Sequence, residues 1–343
     1  MNDGSGNGWL VGGTVTVIFA ALMCALLIVA LYPWLARYAL AKPNARSSHR
    51  TPTPQGGGIA VIAATMGAVG VALAVFSLGA SPDLNLPKLV AAALLMTCLG
   101  AIDDIRPLPA GLRLILQAAV IAGIVYTLPD QLRVVPQLPW WFERGLLLIG
   151  GVWFVNLVNF MDGIDWMTVA EVIPITATLT VLGMAGALPS YGTVLALALG
   201  GAMLGFAYFN RPTAKVFLGD VGSLPIGLIL GWLLLLVAGG GHLAAAVVMP
   251  LYYLADATIT LFRRLIRREP FWEAHRSHFY QRATDKGFTT TAVVMRVFAV
   301  NVGLGILAVI SVVVPGRPSE IAALTIGAAL VAWLLAAFER GRS

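Results

Sequence analysis

Eleven stretches of this chain are apolar enough to leave water: 9–34, 57–79, 88–102, 111–128, 144–160, 167–187, 190–209, 222–238, 243–262, 291–314 and 320–338. Each approaches the length that crosses a hydrocarbon core of about 30 Å. Inside lipid every backbone amide must find its partner within the chain, and helices do this segment by segment. The expected fold is therefore an all-α polytopic membrane protein, a bundle of about eleven transmembrane helices. Ten remain if one of the short segments 88–102, 144–160 or 222–238 is tilted, broken or only partly spanning. Composition agrees, because only 11% of the 343 residues are charged, against about 25% in an ordinary soluble domain.

The basic residues set the expected orientation. MNDGSGNGWL has no basic head, and Arg37, Lys42, Arg46 and Arg50 follow the first apolar run, so that run reads as a first span with its tail outside rather than a cleavable signal. The loops 35–56, 103–110, 161–166, 210–221 and 263–290 and the C-terminal tail then fall inside. Of the 22 Lys and Arg residues, only Lys88, Arg133, Arg144 and Arg317 lie on the other side. This is the asymmetry of a protein with its N-terminus outside and its C-terminus in the cytoplasm. The net charge of +6 therefore reports topology and an anionic partner at the membrane rather than nucleic acid. Cys24 and Cys98 fall inside spans, as small apolar residues do. The chain reads as one domain over residues 1–343.

The outer loops are short turns of Gly, Pro and Ser; every cluster with chemistry lies inside. The first, KPNARSSHRTPTPQGGG (42–58), combines cations with glycines that let backbone N–H groups approach a phosphate. It reads equally as a positive-inside loop whose glycines let helices pack closely. Asp103-Asp104 ends the third segment; adjacent carboxylates at a membrane boundary need a cation or a shared proton, or full solvation. In Asn156–Trp166, two carboxamides and two carboxylates lie between apolar runs, with Asn156 and Asn159 on one helical face and Asp162 and Asp165 on an adjoining one. Such oxygens suit Mg²⁺ or Mn²⁺, and the simpler alternative is that they cap the next helix.

Asn210 opens a fourth stretch, NRPTAKVFLGDVGS, in which Asp220 stands between glycines at a helix start with Lys215 five residues before it. A cation, a carboxylate and exposed helix N–H groups together suit a diphosphate, and an N-cap is again the plain alternative. Asp256 lies about two turns before Arg263 and Arg264, either pairing with one of them or lining an inner cavity. The last inner loop, EPFWEAHRSHFYQR, offers His275 and His278 three apart for phosphate, with interfacial anchoring by its aromatic residues as the alternative.

In their order along one membrane face, PNARSSHRTPTPQGGG, the DD pair, NLVNFMDGID, FLGDVGS and HRSHFYQR resemble the polyprenyl-phosphate N-acetylhexosamine-1-phosphate transferase family from about Pro43 to Arg282. The last loop is more similar to the O-antigen-initiating branch than to the peptidoglycan branch. The resemblance implies a Mg²⁺ (Mn²⁺ possible) on Asp220, with Asn159 second, and an essential acidic pair at Asp103 and Asp104. It places nucleotide-sugar recognition at Asp162 and Asp165, and His275, Arg276 and His278 over the diphosphate. Asn156 and Asn210 join the substrate-binding set, as do Arg50 and Lys215 on charge grounds. Two positions depart from the family: Trp166 stands where Gly is usual, which puts Asp165 and the donor pocket in question, and Lys42 stands where an acidic residue often precedes PN.

The resemblance implies that sugar-1-phosphate passes from a UDP-N-acetylhexosamine, such as GlcNAc or a 6-deoxy derivative, to undecaprenyl phosphate. UMP is released at the cytoplasmic face of a bacterial inner membrane. Membrane lipids surround the enzyme and a homodimer is one option. A peptidoglycan translocase using UDP-MurNAc-pentapeptide is the rival within the class. A secondary transporter is the rival outside it, disfavoured because the acidic groups gather at one end of the spans.

Overall fold

The computed structural model describes residues 3–41, 52–76, 85–269 and 275–341, and everything below concerns these. Thirteen helices follow the apolar runs: α1 (Asp3–Tyr38), α2 (Gly57–Phe76), α3 (Asn85–Ile105), α4 (Ala110–Tyr126), α5 (Trp140–Met161), α6 (Met167–Met184), α7 (Ser190–Asn210), α8 (Asp220–Gly239), α9 (Leu243–Val248), α10 (Leu251–Ile266), α11 (Phe279–Asp285), α12 (Thr290–Val313) and α13 (Arg317–Arg340). Nine of them are long and apolar enough to cross a membrane, and α4 is a shorter apolar helix. The chain is an all-α polytopic membrane protein.

The segments that look short by their apolar runs are full-length helices. α3 carries on through Asp103 and Asp104, α5 starts at Trp140, and α8 starts at Asp220. A helix continues through polar residues when their side chains find partners, and these do. The segment 243–262 is instead two helices. Pro250 has no N–H to give and itself leaves helical geometry, at φ −91° and ψ 18°, so the chain breaks between α9 and α10.

α8 is the most enclosed span, packed along α3 and α5 with α2 and α9 also against it. On one side α1, α2 and α7 pack together, and on the other α6 joins α7 to α12, which carries α13. Small residues set the closest approaches, as in other membrane bundles. A Cβ on Gly58 of α2 would lie 2.2 Å from Gly222 Cα, and one on Gly100 of α3 would lie 2.2 Å from the Asp220 carbonyl oxygen.

Two short strands, β1 (Leu40–Ala41) and β2 (Thr53–Pro54), pair antiparallel with Leu40 opposite Pro54. They lead the chain into the glycine run at the start of α2. There the amides of Gly56 and Gly57 both donate to the Phe217 carbonyl, at 3.2 and 2.9 Å, and Gly58 N–H donates to Leu218 O at 2.9 Å. These three amides are spent on the chain itself, and residues 42–51 of the same loop lie outside the described residues.

Candidate active site

The site is built around the start of α8. A helix leaves its first N–H groups unpaired, and here the cap comes from a different helix. Asp104, on α3, accepts from Asp220 N–H at 3.0 Å and Val221 N–H at 3.1 Å, and Gln55 Nε2 donates to it at 2.5 Å. Gly219 makes this fit possible. Its φ is +77°, and a Cβ there would lie 2.5 Å from Asp104 Oδ2. Asp104 thus stands behind Asp220 and fixes its backbone.

Asp103, its neighbour, faces the other way. Its Oδ1 accepts from Leu108 N–H at 2.7 Å, and its Oδ2 pairs with Arg113 Nη1 at 2.8 Å. The same Nη1 is 3.5 Å from Asp220 Oδ2, so one guanidinium joins the carboxylates of α3 and α8. Asn159, from α5, donates through Nδ2 to Asp220 Oδ1 at 2.7 Å and to Ser223 Oγ at 2.9 Å. Its amide oxygen is thereby turned away from both.

Arg113, Asn159 and Asp220 among these groups line a cavity of about 540 Å³. Asp220, Asn159, Arg113, Asn156, His275 and His278 form its polar wall, while Leu114, Ile149, Val152, Trp153 and Leu261 form the remainder. Asn156 is buried and anchored, donating to Gln117 Oε1 at 2.6 Å and Val152 O at 2.8 Å. His275 and His278 are not on a common helix, since α11 starts at Phe279, yet their rings lie 5.0 Å apart. Ser277 Oγ is 2.8 Å from His275 Nδ1.

Other residues expected at the site brace it instead. Asp165 is buried and accepts from Ala214 N–H at 3.0 Å, pinning the loop before α8. Asn210 accepts from Trp166 N–H at 2.8 Å and donates to Val216 O at 2.9 Å, so both ends of its amide are used. Arg276 turns to Asp285 Oδ1 at 3.0 Å and Thr284 Oγ1 at 3.2 Å. Lys215 is exposed on the loop before α8 and is not part of the cavity wall. Arg50 and Lys42 lie outside the described residues.

Asp162 ends α5, where Thr168 Oγ1 donates to it, and burial pushes its carboxyl up to about 7. Trp166 has φ +62°, which explains why Gly suits this position, and its Nε1 donates to Ala207 O at 2.6 Å. The indole therefore packs against the end of α7 rather than shaping the cavity. Asp256 neither pairs with Arg263 or Arg264 nor lines the cavity; it lies behind His278. Arg113 and Gln117 escaped the sequence reading. A lone arginine within an apolar helix was the available signal, but its nearness to the basic face made it read as topology.

The donor set fits a hard divalent cation with few protein ligands. The Arg113 guanidinium joins the carboxylates of Asp103 and Asp220, and Asp104 is fully engaged as a cap. No group of three or more His, Cys, Asp or Glu suited to a metal occurs among the described residues. That leaves the Asp220 carboxylate, joined by the Asn159 amide oxygen once the amide, which now donates to Asp220, is turned over. Such a sparse set matches Mg²⁺, which keeps several waters and takes further ligands from substrate phosphates. Arg113 Nε is buried without a hydrogen-bond partner among the described residues, a donor suited to an anion.

A helical membrane bundle in which a carboxylate, carboxamides, a guanidinium and imidazoles line one cavity with apolar side chains is suited to holding a polar anion beside an apolar chain. Residues 86–238, from α3 to the end of α8, match the family model for glycosyl transferase family 4. The matched stretch holds Asp103, Asp104, Asn159 and Asp220. The chain is 26% identical over 315 residues to a probable undecaprenyl-phosphate N-acetylglucosaminyl 1-phosphate transferase of Bacillus subtilis (strain 168), covering 86% of this chain and 85% of that one. It is 27% identical over 336 residues to a decaprenyl-phosphate N-acetylglucosaminephosphotransferase of Mycobacterium tuberculosis (strain ATCC 25618 / H37Rv), covering 86% and 80%. A phospho-N-acetylmuramoyl-pentapeptide-transferase of Desulfosudis oleivorans is 28% identical over a shorter 224 residues, covering 59% and 60%.

Proposed function

We propose that this protein transfers N-acetylglucosamine-1-phosphate, or that of a modified N-acetylhexosamine, from a UDP-sugar to undecaprenyl phosphate at the cytoplasmic face of a bacterial inner membrane. The product would begin a lipid-linked surface glycan, an O-antigen among the candidates. The observation that carries the reading is the joint lining of the cavity: Asp220, Asn159, Arg113, His275 and His278 together with apolar side chains of α4, α5 and α10. A polyprenyl phosphate has this polarity. The names of the relatives that match across most of the chain point to the same chemistry.

In the proposed reaction an oxygen of the lipid phosphate attacks the sugar-bearing phosphorus of the UDP-sugar. A new P–O–P bond forms, the bond between the two phosphates of the donor breaks, and UMP leaves with the electron pair. The acceptor phosphate has a second pKa of about 6 and is already largely ionised at neutral pH, so the chain need not supply a strong base. Asp103 fits an orienting part, because both its oxygens are engaged in holding Leu108 and Arg113. Arg113 and His275 are the donors that would receive phosphate oxygens and offset the repulsion between two anions. Asp220 and Asn159 would hold Mg²⁺, which when bound would neutralise charge developing on the departing phosphate.

Purified protein incubated with undecaprenyl phosphate, Mg²⁺ and a panel of UDP-sugars tests this by UMP release. UMP is expected with UDP-GlcNAc or a close N-acetylhexosamine donor. Asp220→Ala is expected to lose activity by about 10²-fold or more. UMP from UDP-MurNAc-pentapeptide alone would replace this reading with the peptidoglycan one. No UMP from any donor would overturn both.

A further inference from the structure

We infer that Asp256, buried outside the cavity, is the positioning residue that fixes the tautomer and plane of His278 and presents its unprotonated Nε2 to the cavity as an acceptor for a substrate hydroxyl or a protonated phosphate oxygen. The inference rests on reading the cavity as a sugar-phosphate transfer site. The geometry behind it stands apart from that reading.

Asp256 is wholly buried on α10, and five donors or potential donors converge on its two oxygens. Phe279 N–H donates to Oδ1 at 3.0 Å and Tyr280 N–H to Oδ2 at 3.2 Å. Tyr252 OH donates to Oδ2 at 3.1 Å and Thr260 Oγ1 to Oδ1 at 3.3 Å. His278 Nδ1 completes the set at 3.2 Å from Oδ1. A carboxylate already receiving two backbone amides acts as an acceptor, so the imidazole nitrogen facing it is the one that carries the proton.

The remaining edges of the ring are also decided. One neighbour, Tyr280, stacks on it with centroids 5.6 Å apart and 19° between planes, and His275 lies at 5.0 Å and 31°. His278 lines the cavity although its side chain is only 4% exposed. With Nδ1 held and the ring packed, Nε2 is the edge left for a ligand, and it has no hydrogen-bond partner among the described residues. A buried acid that holds one nitrogen of a histidine so that the other meets the substrate recurs in metal and acyl-transfer sites. Here it spans two elements, tying the loop before α11 to α10.

The test joins a ligand-free measurement to a kinetic one. Full-length protein labelled with ¹⁵N-histidine contains four histidines, and loss of one set of resonances in His278→Asn assigns His278. In the wild type Nδ1 of His278 is expected to carry the proton, and Asp256→Asn should move the proton to Nε2 or mix the two forms. A bare Nδ1 in the wild type overturns the proposal whether or not the variant folds, and so does an unchanged tautomer in Asp256→Asn. In UMP release, Asp256→Asn should lower kcat by about tenfold or more while KM for the UDP-sugar moves less than about threefold. The double variant Asp256→Asn/His278→Asn should be no slower than His278→Asn. Additive losses would mean that Asp256 only supports the loop. Failure of every UDP-sugar to release UMP would overturn the transferase reading and leave the tautomer result standing.

Discussion

Residues of one type divide sharply by what their oxygens meet. Asp103 and Asp104 are adjacent in sequence, but the first orients Arg113 and the second caps α8. Removing a cap costs about 0.5–2 kcal/mol, so Asp104→Ala should lower thermal stability by that order and shift Asp220 with it. Activity should fall more than stability accounts for, and denaturation with UMP release on the same sample checks this. Asp162 offers a separate, pH-dependent signature. Its carboxyl is raised from an ordinary 3.8 to about 7, so between these values the folded protein holds a proton that the unfolded chain has lost. Stability linked to Asp162 is then present in full below about pH 4 and declines as pH rises toward 7. Asp162→Asn should flatten that slope in melting temperatures recorded across the window, whereas a slope unchanged by the substitution would assign it to other groups.

Among the elements, the close approaches of α8 make the sharpest prediction. An added methyl at Gly100 has the Asp220 backbone in its way at 2.2 Å, and at Gly123 of α4 it meets nothing within 4 Å. Gly100→Ala should therefore part α3 from α8, costing about 1–3 kcal/mol, and should unseat Asp104 from its cap. Gly123→Ala should be neutral or stabilising by less than about 1 kcal/mol; equal effects of the two would remove the contact from the account. Element types were legible in the sequence because lipid permits little besides helix. Elements also delivered Asp220, Asn159, His275 and His278 to one place, since short connections force the inner ends of the spans together. Which polar atom faces the cavity was not legible. Asp165 and Asn210 look like ligands in sequence, but their oxygens are spent on Ala214 and Trp166 N–H groups. Only a folded loop reveals such spending. Arg113 failed in the opposite direction, because a charge that serves topology and one that serves chemistry look alike in a string of letters.

For the whole molecule, the distribution of charge makes a claim about direction. Asp220, His275 and His278 meet at the ends of helices whose loops carry most of the basic residues, while Arg133 and Arg144 are held at the opposite ends of α4 and α5. Positive loops stay on the cytoplasmic side, so a soluble UDP-sugar would reach the cavity from there and the product's glycan would start inside. Two exposed positions outside the cavity wall separate the faces: Lys215 before α8, and Gln131 between α4 and α5. In a Cys24→Ala/Cys98→Ala background, Lys215→Cys should react with a membrane-impermeant maleimide only in inverted vesicles. Gln131→Cys should react only in right-side-out spheroplasts, with UMP release confirming that each variant is folded. The reverse pattern would place the cavity on the outer face, where UDP-sugars made in the cytoplasm have no direct route to it. The proposed transfer reaction would then fail on supply even with every side chain of the site in place.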